Sequence, residues 1–161
     1  MNEDLGILDE FKALNRKHLH EIWQYAKDNN MDHLSEEEQQ IGKCMLEHEE
    51  YHNQFEIADL LKDHDFAPEK EVNPFLHITL HVIVEHQLKS REPIEVYQFY
   101  NSMRNKRVNH HDTVHLIANI FNPVIFRVFQ QKESFDIEFY KRLLKKYKGK
   151  HPEKIYSSLA R

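Results

Sequence analysis

Residues 73–89 read NPFLHITLHVIVEHQLK. Asn73 is a good N-cap residue, and Pro74 suits the first helical position, where a missing N–H costs nothing. The stretch therefore predicts a helix that opens at Asn73, runs to about Lys89 and stops before Pro93. Two histidines, His77 and His81, stand four apart in it among Phe75, Leu76, Ile78, Leu80, Val82, Ile83 and Val84. Burying an imidazole without a partner is costly, so the helix raises the question of what its histidines meet.

Working outward, the same spacing rules predict helices on both sides. One runs from about Leu8 to Lys27, with Phe11, Leu14, Ile22 and Tyr25 recurring at helical intervals. A second opens at Ser35, where Glu38 three residues on completes a capping box, and continues through Ile41, Met45, His48, His52 and Phe55 until it fades near Asp63. Beyond the quoted stretch come helices from Pro93 to about Asn105, from Asn109 or His110 to about Gln131 with a kink expected at Pro123, and from Phe135 to Lys148, closed by Gly149. The tail from about residue 150 is weakly patterned. Only 3 Gly and 5 Pro occur in 161 residues, which favours long helices over a many-turned β fold. The expected fold is all-α: one domain, 1–161, built as an antiparallel bundle of four core helices plus one or two extra helices.

Composition narrows the function classes. The chain is 40% hydrophobic and 30% charged, with a net charge of −5. That gives no basic footprint for nucleic acid and no reason to expect an anionic membrane, so neither is expected as a partner; Lys145, Lys146 and Lys148 read as a helix C-terminal cluster favourable with the dipole. The apolar runs are too short to span a bilayer. Cys44 is the single cysteine, so no internal disulfide forms, and a cytoplasmic location is expected. The N-terminus is acidic and lacks the apolar core of a secretory signal.

The unusual number is 13 histidines. Random placement would give about one pair four apart; the helices carry three, at His48 and His52, His77 and His81, and His111 and His115. Each pair puts two imidazoles on one helix face. Glu85 follows His81 by one turn, and Glu47 and Glu50 flank His48. Six imidazoles buried separately would need six hydrogen-bond partners; around a cation they are satisfied together. The candidate metal ligands are thus His48, His52, His77, His81, His111 and His115, with Glu85 or Glu47 as carboxylate and Tyr51 as a nearby donor. The competing reading is a polar layer of hydrogen-bonded core histidines. Cys44, one turn before His48, reads as a structural thiol.

EHEEYH (47–52), NPFLHITLHVIVEHQ (73–87) and HDTVHLI (111–117) together resemble an uncharacterised bacterial family, domain-of-unknown-function family 1841. Its members show an EHPEYH-like segment, then NPFLH-x3-H ending in Gln, then H-x3-H. The resemblance runs from roughly Trp23 to Tyr147 and implies that the six histidines belong together; it implies no activity. Glu49 stands where the family often has proline. A looser resemblance of pattern is to hemerythrin-like and DinB-like bundles, in which His and carboxylate ligands on facing helices hold metal.

Six His with one or two Glu exceed one tetrahedral zinc site. The expectation is a divalent metal site, most simply two Fe, handling dioxygen, peroxide or another small molecule. The alternatives are one Zn or Ni ion serving a hydrolase or transferase, and a metal-free interaction module. A homodimer is compatible with the sequence, and whether the protein is an enzyme stays open.

Overall fold

The computed structural model describes residues 16–67 and 70–160. Every regular element among them is helical, and no strand occurs, so the chain is all-α. In order the elements are α1 (Arg16–Lys27), α2 (Glu36–Glu47), a 3₁₀ turn (Glu49–Tyr51), α3 (His52–Glu56), α4 (Pro74–Ser90), α5 (Ile94–Asn105), α6 (His110–Phe129), α7 (Ile137–Tyr147) and α8 (Pro152–Leu159). The expected start of the first helix, residues 8–15, lies outside the described residues. The described chain forms two compact units, residues 16–82 and residues 83–160, with the boundary inside α4.

In the N-terminal unit α1 packs on α2. Leu19, Ile22, Trp23 and Ala26 of α1 are buried with Ile41 and Met45 of α2. The helices approach closely at Gly42, where a Cβ would lie 2.7 Å from Met31 Sδ and 3.2 Å from Ala26 Cβ. The capping box at Ser35 and Glu38 is present, with both bonds made.

The second helix is not continuous to Asp63. It ends at Glu47, and His48 leaves helical geometry with φ −108° and ψ 67°. Side chains cause the break by taking the carbonyls that would extend the helix. Cys44 O, the helical acceptor for the His48 N–H, accepts instead from His48 Nδ1 at 2.7 Å. The His48 N–H falls back on Met45 O at 3.2 Å, and the same carbonyl accepts from His52 Nε2 at 3.1 Å. Local side-chain bonds compete with the helical ladder in this way. Arg16 holds the chain after α3 through the carbonyls of Leu61 and His64, and its guanidinium lies over the Phe66 and Phe75 rings.

α4 starts as its sequence predicts. Asn73 Oδ1 accepts from the N–H groups of Phe75 and Leu76, each at 3.1 Å. Residues 78–84 are buried without interruption, as expected of a helix that is apolar on all sides.

The C-terminal unit comprises the second half of α4 with α5 to α8. α6 packs on α5, α7 and α8 and buries nine residues, from Thr113 to Ile125. It continues through Pro123 as far as Phe129. Buried Tyr140 of α7 donates its hydroxyl to Gln87 Oε1 of α4 at 2.8 Å. Residues 152–159, weakly patterned in sequence, form α8, with Ile155 buried. No helix among the described residues is long and apolar enough to cross a membrane.

Candidate metal centre

The break after Glu47 positions the first ligand candidate. His48 is buried at the end of α2. A carbonyl oxygen only accepts, so the bond from His48 Nδ1 to Cys44 O places the neutral ring's proton on Nδ1 and its lone pair on Nε2. This is the outer-sphere arrangement of a metal-binding histidine, in which one nitrogen is held by the backbone and the other is presented.

His77 and His81, one turn apart on α4, meet that lone pair. The His48 ring lies 4.9 Å from the His77 ring and 4.6 Å from the His81 ring, nearly perpendicular to both. The His77 and His81 rings are 4.6 Å apart. One ring nitrogen from each of the three lies within 4.8 Å of the other two. His48 Nε2 is 3.2 Å from His77 Nε2. For metal–nitrogen bonds of 2.0–2.1 Å, two ligand nitrogens are about 3.3 Å apart in a tetrahedral site and about 2.9 Å apart in an octahedral one. The observed spacing is that of a hydrogen bond from His77 Nε2 to the His48 Nε2 lone pair, and it is also compatible with a shared ion, nearer the tetrahedral value. Three neutral imidazoles also form a donor set suited to Zn, Cu, Fe or Ni.

Tyr51 covers this cluster. Its ring stacks parallel to His48 at 6.0 Å and meets the edge of His77 at 5.5 Å. Burial, with a smaller push from the Glu50 carboxylate, raises the Tyr51 pKa above the ordinary tyrosine value, so the phenol keeps its proton at neutral pH.

The remaining candidates of the N-terminal unit, His52 and Glu47, are placed differently. His52 packs on Trp23, ring centroids 4.7 Å apart, and donates through Nε2 to Met45 O; it stands apart from the three-histidine cluster. Glu47 is exposed at the end of α2. Glu85 accepts from His110 Nε2 at 2.7 Å, and the Tyr100 hydroxyl donates to His110 Nδ1 at 2.9 Å. In the C-terminal unit His111 and His115 stack on each other along α6, ring centroids 6.4 Å apart. His115 also faces the Tyr156 ring at 6.4 Å. Cys44 Sγ is 3.9 Å from His48 Nδ1, but its carbonyl orients the ring.

Two features escape sequence reasoning. The anchoring role of the Cys44 carbonyl leaves no side-chain signature beyond the four-residue interval to His48. The Tyr100–His110–Glu85 chain joins separate helices, and no local spacing announces it.

A family model described as Domain of unknown function (DUF1841) matches residues 12–146. The chain belongs to this family. The matched span contains all three DUF1841-like segments, and so every histidine of the cluster. No curated protein and no solved structure matches the chain, so the likeness to hemerythrin-like and DinB-like bundles rests on sequence pattern alone.

Proposed function

We propose that this DUF1841 protein binds one divalent transition-metal ion through His48, His77 and His81. The observation that carries the reading is the His48 Nε2 lone pair, fixed by the Cys44 carbonyl, facing His77 Nε2 at 3.2 Å. One ion is favoured over two irons because two candidate donors for a second ion have other bonds: His52 donates to Met45 O, and Glu85 accepts from His110. A bound ion would supply Lewis acidity and lower the pKa of a coordinated water. The chain's own contribution is to hold neutral imidazoles in place and to cover them with the protonated Tyr51 phenol. A small molecule is the expected substrate class. A lone thiol and a thiophilic ion both fit a reducing compartment such as the cytoplasm.

The test is elemental analysis of protein purified without a histidine tag, then metal titration after chelation. About one equivalent of zinc, iron or nickel per chain is expected, falling sharply in the His48→Ala and His77→Ala variants. Two equivalents of iron would restore the di-iron arrangement. Folded protein that takes up no ion from zinc, iron, nickel or cobalt would end the proposal.

A further inference from the structure

The whole-chain charge of −5 averages two opposite halves. Residues 1–82 hold 7 Lys and Arg against 19 Asp and Glu, a net −12; residues 83–161 hold 15 against 8, a net +7. Such asymmetry points to a polyanionic partner for the basic half.

Within the C-terminal unit the positive charge is concentrated. The last turns of α5 and α7 are fastened together: Ser102 Oγ donates to Lys148 O at 2.7 Å, and Lys106 Nζ donates to the same oxygen at 3.2 Å. Lys106 and Lys148 meet at this junction, Arg104 and Arg107 flank Lys106 in sequence, and Lys145, Lys146 and Lys150 flank Lys148. Residues 139–152 contain six Lys and Arg and no acid.

Helix dipoles do not account for this. Each helix C-terminus presents about half a negative charge, so two ends offset about one of the seven cations. Glu95, 3.5 Å from Lys145, offsets another. About five positive charges remain. Lys146 and Lys150 approach the Tyr147 ring at 5.2 and 5.5 Å, and Lys146, Lys148 and Arg107 are exposed. Lys141 to Lys148 spans about 10 Å of helix, a length over which a nucleic-acid duplex carries about six charges.

We propose that this basic face binds the phosphodiester backbone of nucleic acid. Its cations are suited to phosphate oxygens, the sequence-independent part of a nucleic acid. Binding is therefore independent of sequence. The proposal stands independently of the metal site.

Fluorescence anisotropy of the full chain with labelled 24-base-pair duplexes of random sequence, one DNA and one RNA, tests it. Comparing the two arms identifies which backbone is preferred. Micromolar binding is expected at low salt, with log K falling against log salt at a slope of about −4, corresponding to four or five phosphates. The triple variant Lys146→Glu/Lys148→Glu/Lys150→Glu should weaken binding at least tenfold and flatten the slope by about 2.7, at 0.9 per contact. Lys43→Glu/Lys62→Glu, on the acidic half, should change neither. No binding to either duplex at 50 mM salt and 100 µM protein overturns the proposal. So does an unaltered triple variant whose circular dichroism matches wild type. Salt-sensitive self-association in sedimentation, abolished by the triple variant while duplex binding is absent, overturns it in favour of a second copy's acidic half.

Discussion

Loading the chelated protein with zinc should raise its melting temperature, and His77→Ala should nearly erase that rise. A ligand bound only by the folded state stabilises it by RT ln(1 + [L]/Kd), about 2.7 kcal/mol at a free concentration of 100 Kd. For a chain of this size each kcal/mol moves the midpoint by about 2–4 °C, so the rise is about 5–11 °C. Altering even an outer partner of a metal ligand weakens affinity about 10–100-fold. A directly bound imidazole should count for at least the upper figure. At the same free zinc, a 100-fold weaker site gains only about 0.4 kcal/mol, or roughly 1–2 °C. His77 suits the test because it lies in the first turn of α4, where the Asn73 cap is untouched by the change and alanine is a strong helix former. His52→Ala is the counterpart. It should lower the melting temperature of the metal-free protein, by removing one bond to Met45 O, yet keep the full zinc-dependent rise. Differential scanning calorimetry in zinc-buffered solution reads both. An equal zinc shift in wild type and His77→Ala, or a shift lost in His52→Ala but kept in His77→Ala, would refute the three-histidine centre.

Other outcomes follow from the same geometry. Because protons compete with metal for imidazole, bound ion should leave between roughly pH 6 and 4, around and below the titration of free imidazole; full occupancy at pH 4 by elemental analysis would speak against histidine ligation. Burial holds the Tyr140 pKa far above the ordinary tyrosine value. Its folded-state pKa is the raised one, so stability should be intact below about pH 10 and fall as pH rises further, because the unfolded chain then sheds the proton first. Tyr140→Phe should flatten that alkaline loss in urea melts at pH 8 to 11, while costing about 1 kcal/mol at pH 7 for the bond to Gln87; an unchanged alkaline slope would remove Tyr140 as its source. Gly42→Ala should destabilise by up to about 2 kcal/mol, the overpacking cost of about 1–3 kcal/mol against Ala26 Cβ and Met31 Sδ less the roughly 1 kcal/mol that alanine gains over glycine in a helix; a raised urea midpoint would mean that α1 and Met31 yield to the methyl.

The readable parts of this sequence are those whose cause is local. Asn73 and Pro74 open α4 because an N-cap oxygen and a missing N–H act within one turn, and both bonds to Asn73 Oδ1 are made. The capping box at Ser35 is legible for the same reason. His77 and His81 are legible as a pair because α4 is an unbroken helix. What the sequence hides is competition for the same atoms. Glu85, one turn past His81, accepts a hydrogen bond from His110 of another helix, and nothing in either segment alone selects that pairing.

The His48–His52 interval shows why spacing alone misleads. In a continuous helix the four-residue step would put both rings on one face. A His48 that hydrogen-bonds to its own preceding turn, through Nδ1 to Cys44 O, removes the acceptor that continuity requires. The chain then tightens into the 3₁₀ turn of Glu49–Tyr51. That one bond has three effects: it ends α2, fixes the tautomer that presents Nε2, and turns His52 toward Trp23 and away from the cluster. The same side-chain bond that breaks the helical pattern therefore selects which histidine of the pair faces α4, and the three-nitrogen cluster depends on the failure of the spacing that suggested it.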